Sequence, residues 1–357
     1  MKKMTSQNNF YIDIHVLQTV PPSCVNRDDT GSPKNAVYGG ASRARVSSQS
    51  WKHEIRMMFK QMFADDQLGF RTKHIVGLVA DEIKKLAPDL DAEKKASEAL
   101  TNAGLKIKSA EKGTDALFFM SRAQAFALAK LTVDGETDNK KYKEALKNNP
   151  SIDMALFGRM VADDQSLNYD AAAQVAHAIS THEVRTEYDF FSAVDDCKPE
   201  DNAGAGHLGT VEFNSSTMYR YATVNAAELV KSISVEDLSH AVRCFTEAFI
   251  CSMPTGKQNT FANRTMPDMV YMAVRNDQPV NLVGAFEKPV SSHGGYVEAS
   301  ENAFVNYAKD TYRLFASEPI LSLGVSRNGS LGEIAELMPL QKLLDKLETY
   351  VSEYIGG

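Results

Sequence analysis

CVNRDDTGSPKNAVYGGASRARVSSQSWKH, residues 24–53, runs a glycine-bearing basic loop straight into an amphipathic helix. Residues 31–62 carry Lys34, Arg43, Arg45, Lys52, Arg56 and Lys60 against the single acid Glu54, a local balance of +5. The 357-residue chain sums to −7, so everything outside that window sums to −12. An acidic protein that gathers its positive charge in one place presents a surface suited to a polyanion. The spacing of Trp51, Ile55, Met58, Phe59, Met62 and Phe63 predicts a helix from about 48 to 63, capped by Ser47 or Ser48. Lys52, Arg56 and Lys60 repeat every fourth residue beside that apolar stripe. Gly39-Gly40 allows close backbone approach, and Arg43 and Arg45 project the same way if their segment is extended. Ser47, Ser48 and Gln49 add neutral donors at the start of a helix whose dipole favours anions. A solvated basic face would use the same charges, and nothing here dictates a defined base contact.

Working outward, Phe10, Ile12, Ile14 and Val16 alternate as in a sheet strand. Residues 70–148 read as several polar helices broken by Pro88, Gly104, Gly113 and Gly135, an inserted helical subdomain. Strands are expected at 153–160, 175–184, 217–225, 268–274, 281–290 and 320–326, and helices at about 235–253, 298–315 and 339–355. Ser234 and Asp237 form a capping-box-like pair before the first of those helices, which Pro254 ends. With the insert set aside, the order is an α+β, β-α-β-β-α-β core of the ferredoxin-like kind also used by RNA-recognition folds.

Composition narrows the class. Hydrophobic residues make up 43% and charged residues 24%, as in ordinary globular proteins. No run approaches the ~20 apolar residues of a membrane helix, and MKKMTSQNNF lacks the apolar region of a secretory signal, so a cytoplasmic address is expected. Cys24, Cys197, Cys244 and Cys251 show no metal-ligand spacing. His177 and His182 are expected on opposite faces of one strand, unable to grip a metal together. P-loop, GxGxxG and HExxH motifs are absent, and neither a cofactor nor a metal is expected. Asp195-Asp196, near Asp189, Glu187 and Glu183, is an acidic group that in principle holds Mg²⁺, or else a solvated loop flank.

Several blocks then resemble one family. SCVNRDDTGSPKNAVYGGASRARVSSQSWK is similar to the N-terminal signature of the CasC family, the repeated backbone subunit of type I-E CRISPR Cascade complexes in the RAMP superfamily. ALFGRM (155–160), VAHAISTHEVRTEYDFFSAVDD (175–196), AGHLGTVEFNSSTMYRYATVN (205–225), PTGKQNTFANRTMPDMV (254–270) and GAFEKPV (284–290) follow in the same order. The resemblance covers most of the chain except the insert.

It implies a modified ferredoxin-like palm, residues 1–64, 151–189 and 223–357, with a helical fingers insert at 65–150 and a β-hairpin thumb at 190–222. It further implies a non-catalytic scaffold that polymerises head-to-tail along a CRISPR guide RNA beside other Cascade subunits. The thumb would displace one nucleotide in six, and the filament would support hybridisation of the guide with target DNA. Carried over by motif, the RNA contacts are Arg27, Lys34, Arg43, Arg45, Gln49 and Lys52 in the palm and Met160 in the GRM block. The apolar thumb residues are Phe191, Val194 and Leu208, and Lys257 and Gln258 lie in the GKQ turn. Charge adds Arg56, one helical turn beyond Lys52. Ala41, Ser42 and His53 depart from the family pattern, which is more basic there. Five or six phosphate contacts imply a log–log salt slope of about −3.5 to −4.2 for a single strand. The rival expectation is a metal-dependent ribonuclease of a related effector type, using Asp195 or Asp196.

Overall fold

The computed structural model describes residues 9–109, 111–161, 164–193 and 207–356. The chain opens with β1 (Tyr11–Ser23), the hairpin β2 (Asn35–Tyr38) and β3 (Ala41–Val46), and helix α1 (Ser48–Met62). The insert follows as β4 (Gly69–Thr72), α2 (Ile75–Leu86), α3 (Ala92–Asn102), β5 (Phe118–Ser121), α4 (Arg122–Val133) and α5 (Asn139–Lys147). Next come α6 (Ile152–Phe157), β6 (Ala173–Val175), β7 (Ala178–Ser180), β8 (Glu187–Ala193), β9 (His207–Asn225), α7 (Ala226–Leu229) and α8 (Val235–Cys251). The last elements are α9 (Gln258–Phe261), β10 (Met269–Arg275), α10 (Val297–Leu314), β11 (Leu321–Ser326), β12 (Glu336–Leu337) and α11 (Leu340–Gly356).

The main sheet runs β12-β11-β10-β1-β9-β7-β3-β2. Its heart, β10-β1-β9-β7, is antiparallel throughout. Taken with α1 between β1 and β7 and α8 between β9 and β10, this is the split β-α-β-β-α-β order that the sequence predicts. Both faces of β1 are covered. Ile12, Ile14 and Val16 pack with Trp51, Ile55 and Phe59 of α1, Phe245 and Phe249 of α8, and Leu343 and Leu347 of α11. On the opposite face, Leu17, Tyr219, Tyr271 and Phe304 form a second core under α10. Each fully buried side chain of α1 contributes about 1.5–3 kcal/mol. The insert has its own core, from Ile75 and Val79 through Leu128 to Leu146.

Several local expectations are corrected. Residues 153–160 hold a helix, α6, because Ile152 to Leu156 are all buried and Gly158 stops the helix at φ +75°. A short apolar run carries no period that separates a buried strand from a buried helix. Residues 281–290 are not a strand: Asn281 accepts from the Val283 N–H and starts a 3₁₀ turn over Leu282–Phe286. The 175–184 segment is broken into β6 and β7, and the insert gains a two-stranded β4–β5 hairpin. His182 lies beyond β7, where its Nε2 accepts from the Thr217 N–H and its ring stacks on Tyr296 at 3.7 Å.

Candidate nucleic-acid interface

Helix α1 is fixed from below. Arg220, on β9, is 1% exposed and lays its guanidinium 3.8 Å over the Trp51 ring and 4.7 Å over Phe249. It donates to Gln18 Oε1 at 2.6 Å and to the Phe249 carbonyl. Burial pulls its pKa down to about 9, still high enough to keep the charge at neutral pH. Ser47 takes the N-cap position without a side-chain cap, and the first turn holds no acid, so this helix end is open to an anion.

The loop ahead of α1 is stapled from inside. Arg43 is fully buried and donates to the carbonyls of Ser180 (2.9 Å), Phe286 (2.9 Å), Glu287 (3.2 Å) and Tyr38 (3.3 Å). It is therefore not the phosphate contact expected of it: main-chain acceptors occupy four of its five N–H donors, and the side chain has no exposed surface for a ligand. Gly39 is likewise a packing position, since a Cβ there would lie 1.6 Å from the Glu287 carbonyl oxygen. Gly40, at φ +74°, faces open space.

The other basic residues form a rim. Arg45 bonds the Asn35 carbonyl and lies 3.2 Å from His177 Nδ1. Burial, then the charges of Arg45 and Lys34, push the His177 pKa down, so these three groups share one corner. Arg27 is exposed, bridged through its backbone to Pro33. Gln49 is exposed, and Lys52 is half-buried with Nζ 5.8 Å over Phe157. Arg56 is partly committed: it pairs with Asp153 at 3.1 Å and stacks 4.7 Å over Phe119. Gly256 packs so closely on Val25 that a Cβ would sit 2.0 Å from its carbonyl oxygen, which brings Lys257 beside the loop. Lys257 takes φ +53°, an unusual conformation for a side-chain-bearing residue, and half-buried Gln258 starts α9 behind it.

Met160 is 85% exposed beside a buried neighbour. Arg159 donates to the carbonyls of Leu167, Phe119 and Leu146, which locks the turn that presents Met160. β8 pairs with the start of β9 as a projecting ribbon, Glu187 opposite Phe213 and Ala193 opposite His207. Ser192 stands opposite Leu208 and Phe191 opposite Gly209, so Leu208 and Phe191 lie on different faces of the ribbon. Leu208 (57% exposed) shares its face with Tyr188 and Phe190, each 68% exposed. Sequence reading passed over Tyr188 and Phe190, although the alternation from Glu187 to Phe190 signals one apolar face. Phe213 at the ribbon base meets Phe261 of α9 at 5.9 Å, joining the GKQ turn to the ribbon. Val194, Asp195 and Asp196 lie outside the described residues.

The second flank of α1 was also missed. Arg71 on β4 and Arg122 at the start of α4 face Lys52, Arg56 and Lys60 across a cleft of about 810 Å³. The opposite flank, between residues 25–31 and Pro254–Gly256, is lined by Asp28, Asp29 and Glu54 beside Arg27.

The family model described as CT1975-like protein matches residues 12–349. A solved chain from a "CRISPR RNA-guided surveillance complex, pre-nicking" is 32% identical, with TM-score 0.81 over 96% of this chain and 100% of that one. A second, from a "CRISPR RNA-guided surveillance complex", is 29% identical, with TM-score 0.64 over 95% of this chain and 99% of that one. No curated protein matches the chain.

Proposed function

The chain belongs to the CT1975-like protein family, and from that premise we propose that it is a guide-RNA-binding backbone subunit of a CRISPR RNA-guided surveillance complex. The observation that carries this reading is the end-to-end similarity to a chain of such a complex, 32% identity across 96% of the sequence. The rim of Arg27, Lys34, Arg45, Gln49 and Lys52 supports it chemically. A guide has a different spacer each time, so its binder must grip phosphates and leave the bases unread.

In the finer form of the proposal the subunit is of the type I-E kind. Copies repeat head-to-tail along the RNA, an arrangement that generates an open helix. The ribbon face of Tyr188, Phe190 and Leu208 and the lone Met160 are apolar wedges, suited to unstacking a base of any identity and so to displacing one nucleotide per repeat. The subunit acts as a scaffold and carries out no chemistry of its own; its partners are guide RNA, target DNA paired to that guide, neighbouring copies and other subunits. The rival reading, a ribonuclease using Asp195 or Asp196, predicts cleavage of complementary RNA at regular intervals with Mg²⁺.

With Arg43 buried and Arg56 tied to Asp153, four of the cations carried over by motif from the basic loop and α1 remain for phosphates: Arg27, Lys34, Arg45 and Lys52. These four alone contribute about −2.8 to the log–log salt slope for single-stranded RNA, at roughly −0.7 per contact. Arg45→Ala with Lys52→Ala is expected to reduce that slope by about 1.4 and leave the melting temperature near wild type. Arg43→Ala instead lowers the melting temperature. Unchanged RNA affinity in the Arg45/Lys52 variant, measured by fluorescence anisotropy, would remove the palm rim as the binding surface.

A further inference from the structure

The cleft between α1 and the β4–β5 hairpin collects more positive charge than its walls neutralise. Lys52, Arg56, Lys60, Arg71 and Arg122 line it against two carboxylates, Asp65 and Asp153. Asp153 is spent on Arg56 at 3.1 Å and on the Gly69 N–H at 2.9 Å. Asp65 meets Arg122 at 3.7 Å but is 88% exposed, a weak pairing. Among the described residues, no carboxylate lies within ion-pair distance of Lys52, Lys60 or Arg71. Like charges gathered without counterions raise the free energy of the empty cleft, and an entering anion lowers it. The tilt of the Lys52 pKa agrees: burial first, then the Arg71 charge, hold it below its usual value.

The walls suit a nucleotide backbone. The Arg122 guanidinium lies 5.0 Å over Phe70 and donates from Nε to the Asp65 carbonyl, while that of Arg56 lies 4.7 Å over Phe119 and stays tied to Asp153, so both set positive charge on the wall beside Lys60 and Arg71. The volume, about 810 Å³, lies within the ~300–1,000 Å³ of sites that bury a small ligand. The cleft also begins at Gln49 and Lys52, residues of the palm rim, so one strand can pass from the rim into it without a break.

We propose that this cleft receives a backbone phosphate of the guide strand, with Arg71 and Lys60 as its ligands and Arg122 flanking them. The proposal rests on the guide-binding reading above and gives the insert a direct part in holding the strand.

The test uses the full chain and a labelled single-stranded RNA of guide length. Lys60→Ala with Arg71→Ala removes two groups that bond no partner among the described residues, so the melting temperature stays near wild type. The affinity at low salt falls about threefold to tenfold, and the salt slope flattens by about 1.4. Arg71→Lys keeps a cation and restores most of the slope. Should the Lys60/Arg71 variant bind like wild type while the Arg45/Lys52 variant is weakened, the cleft proposal is wrong and the palm reading stands. Should neither variant weaken binding, the palm reading fails as well. A variant that holds guide RNA normally but captures complementary DNA poorly also overturns the proposal, because the occupant is then the other strand.

Discussion

Arg43 and Arg45 stand two residues apart on β3, and they belong to different regions of the molecule. The interior holds Arg43 under the basic loop, Arg220 under α1 and Arg159 against the insert, each at most 5% exposed. Among the described residues none of the three has a carboxylate within ion-pair distance; main-chain carbonyls take most of their donors, with Gln18 and Gln124 assisting. The rim above holds Arg45, Lys52 and Lys34, partly open to water. Guanidinium groups thus do two jobs that charge counting cannot separate. The buried ones set the shape of the loop, α1 and the Met160 turn; the rim ones remain available to a ligand. The surface proposed to bind phosphates is therefore held in place by cations that are themselves buried away from it.

The sharpest way to break this contrast is Arg220→Met. The substitution keeps the volume but strands Gln18 Oε1 and the Phe249 carbonyl, and it should destabilise the fold by about 3–5 kcal/mol. An unchanged denaturant midpoint would mean that packing alone holds α1.

Asp13 supplies the converse case, a buried carboxylate with no cation in ion-pair distance among the described residues. The Val280 N–H at 2.8 Å and the Tyr221 hydroxyl at 2.9 Å donate to it. Burial outweighs these bonds and the Arg275 charge, and its pKa rises to about 6. A raised folded-state pKa makes the associated stability complete below about pH 4 and lost as pH climbs through 6. Relative to Asp13→Asn, the wild type should lose up to about 3 kcal/mol between pH 4 and 7. His15, pushed down to about 3 by burial, acts in the opposite sense: its contribution is full above 6.5 and lost as pH falls through 3. Both proteins contain it, so it cancels from the comparison. A stability difference that stays flat across that range would show that Asp13 is not strained by burial.

The smallest expected effect is the most telling about the rim. Lys257→Gly relieves φ +53° and should leave stability equal or raise it by up to about 1 kcal/mol. RNA affinity should meanwhile fall about twofold to fivefold. A variant that gains stability and binds as well as wild type would place Lys257 outside the interface.

Regular features were legible in the sequence. Two-residue alternation marked β1, four-residue spacing marked the buried face of α1, and element order gave the ferredoxin-like core. What stayed hidden depends on partners far along the chain. Arg43 meets Ser180 and Phe286, 137 and 243 residues away, and no local pattern distinguishes it from Arg45. Gly39 faces Glu287 for the same reason. The cleft was invisible because Arg71 and Arg122 belong to the insert, where no motif matched. Leu208 and Phe191 read as one group until the strand register put them on opposite faces.

The central position of β1 also has a bearing on how the chain is made. Tyr11 pairs with Asn225 on one side and Arg275 on the other. At roughly 5–20 residues per second of synthesis, the first of these partners leaves the ribosome about 10–40 s after β1 does. Until then both edges of a largely apolar strand wait unpaired, a template for the wrong neighbour. The insert, with its core side chains from Ile75 to Leu146, is translated whole within that interval, so its apolar face is available to pack before the main sheet can close.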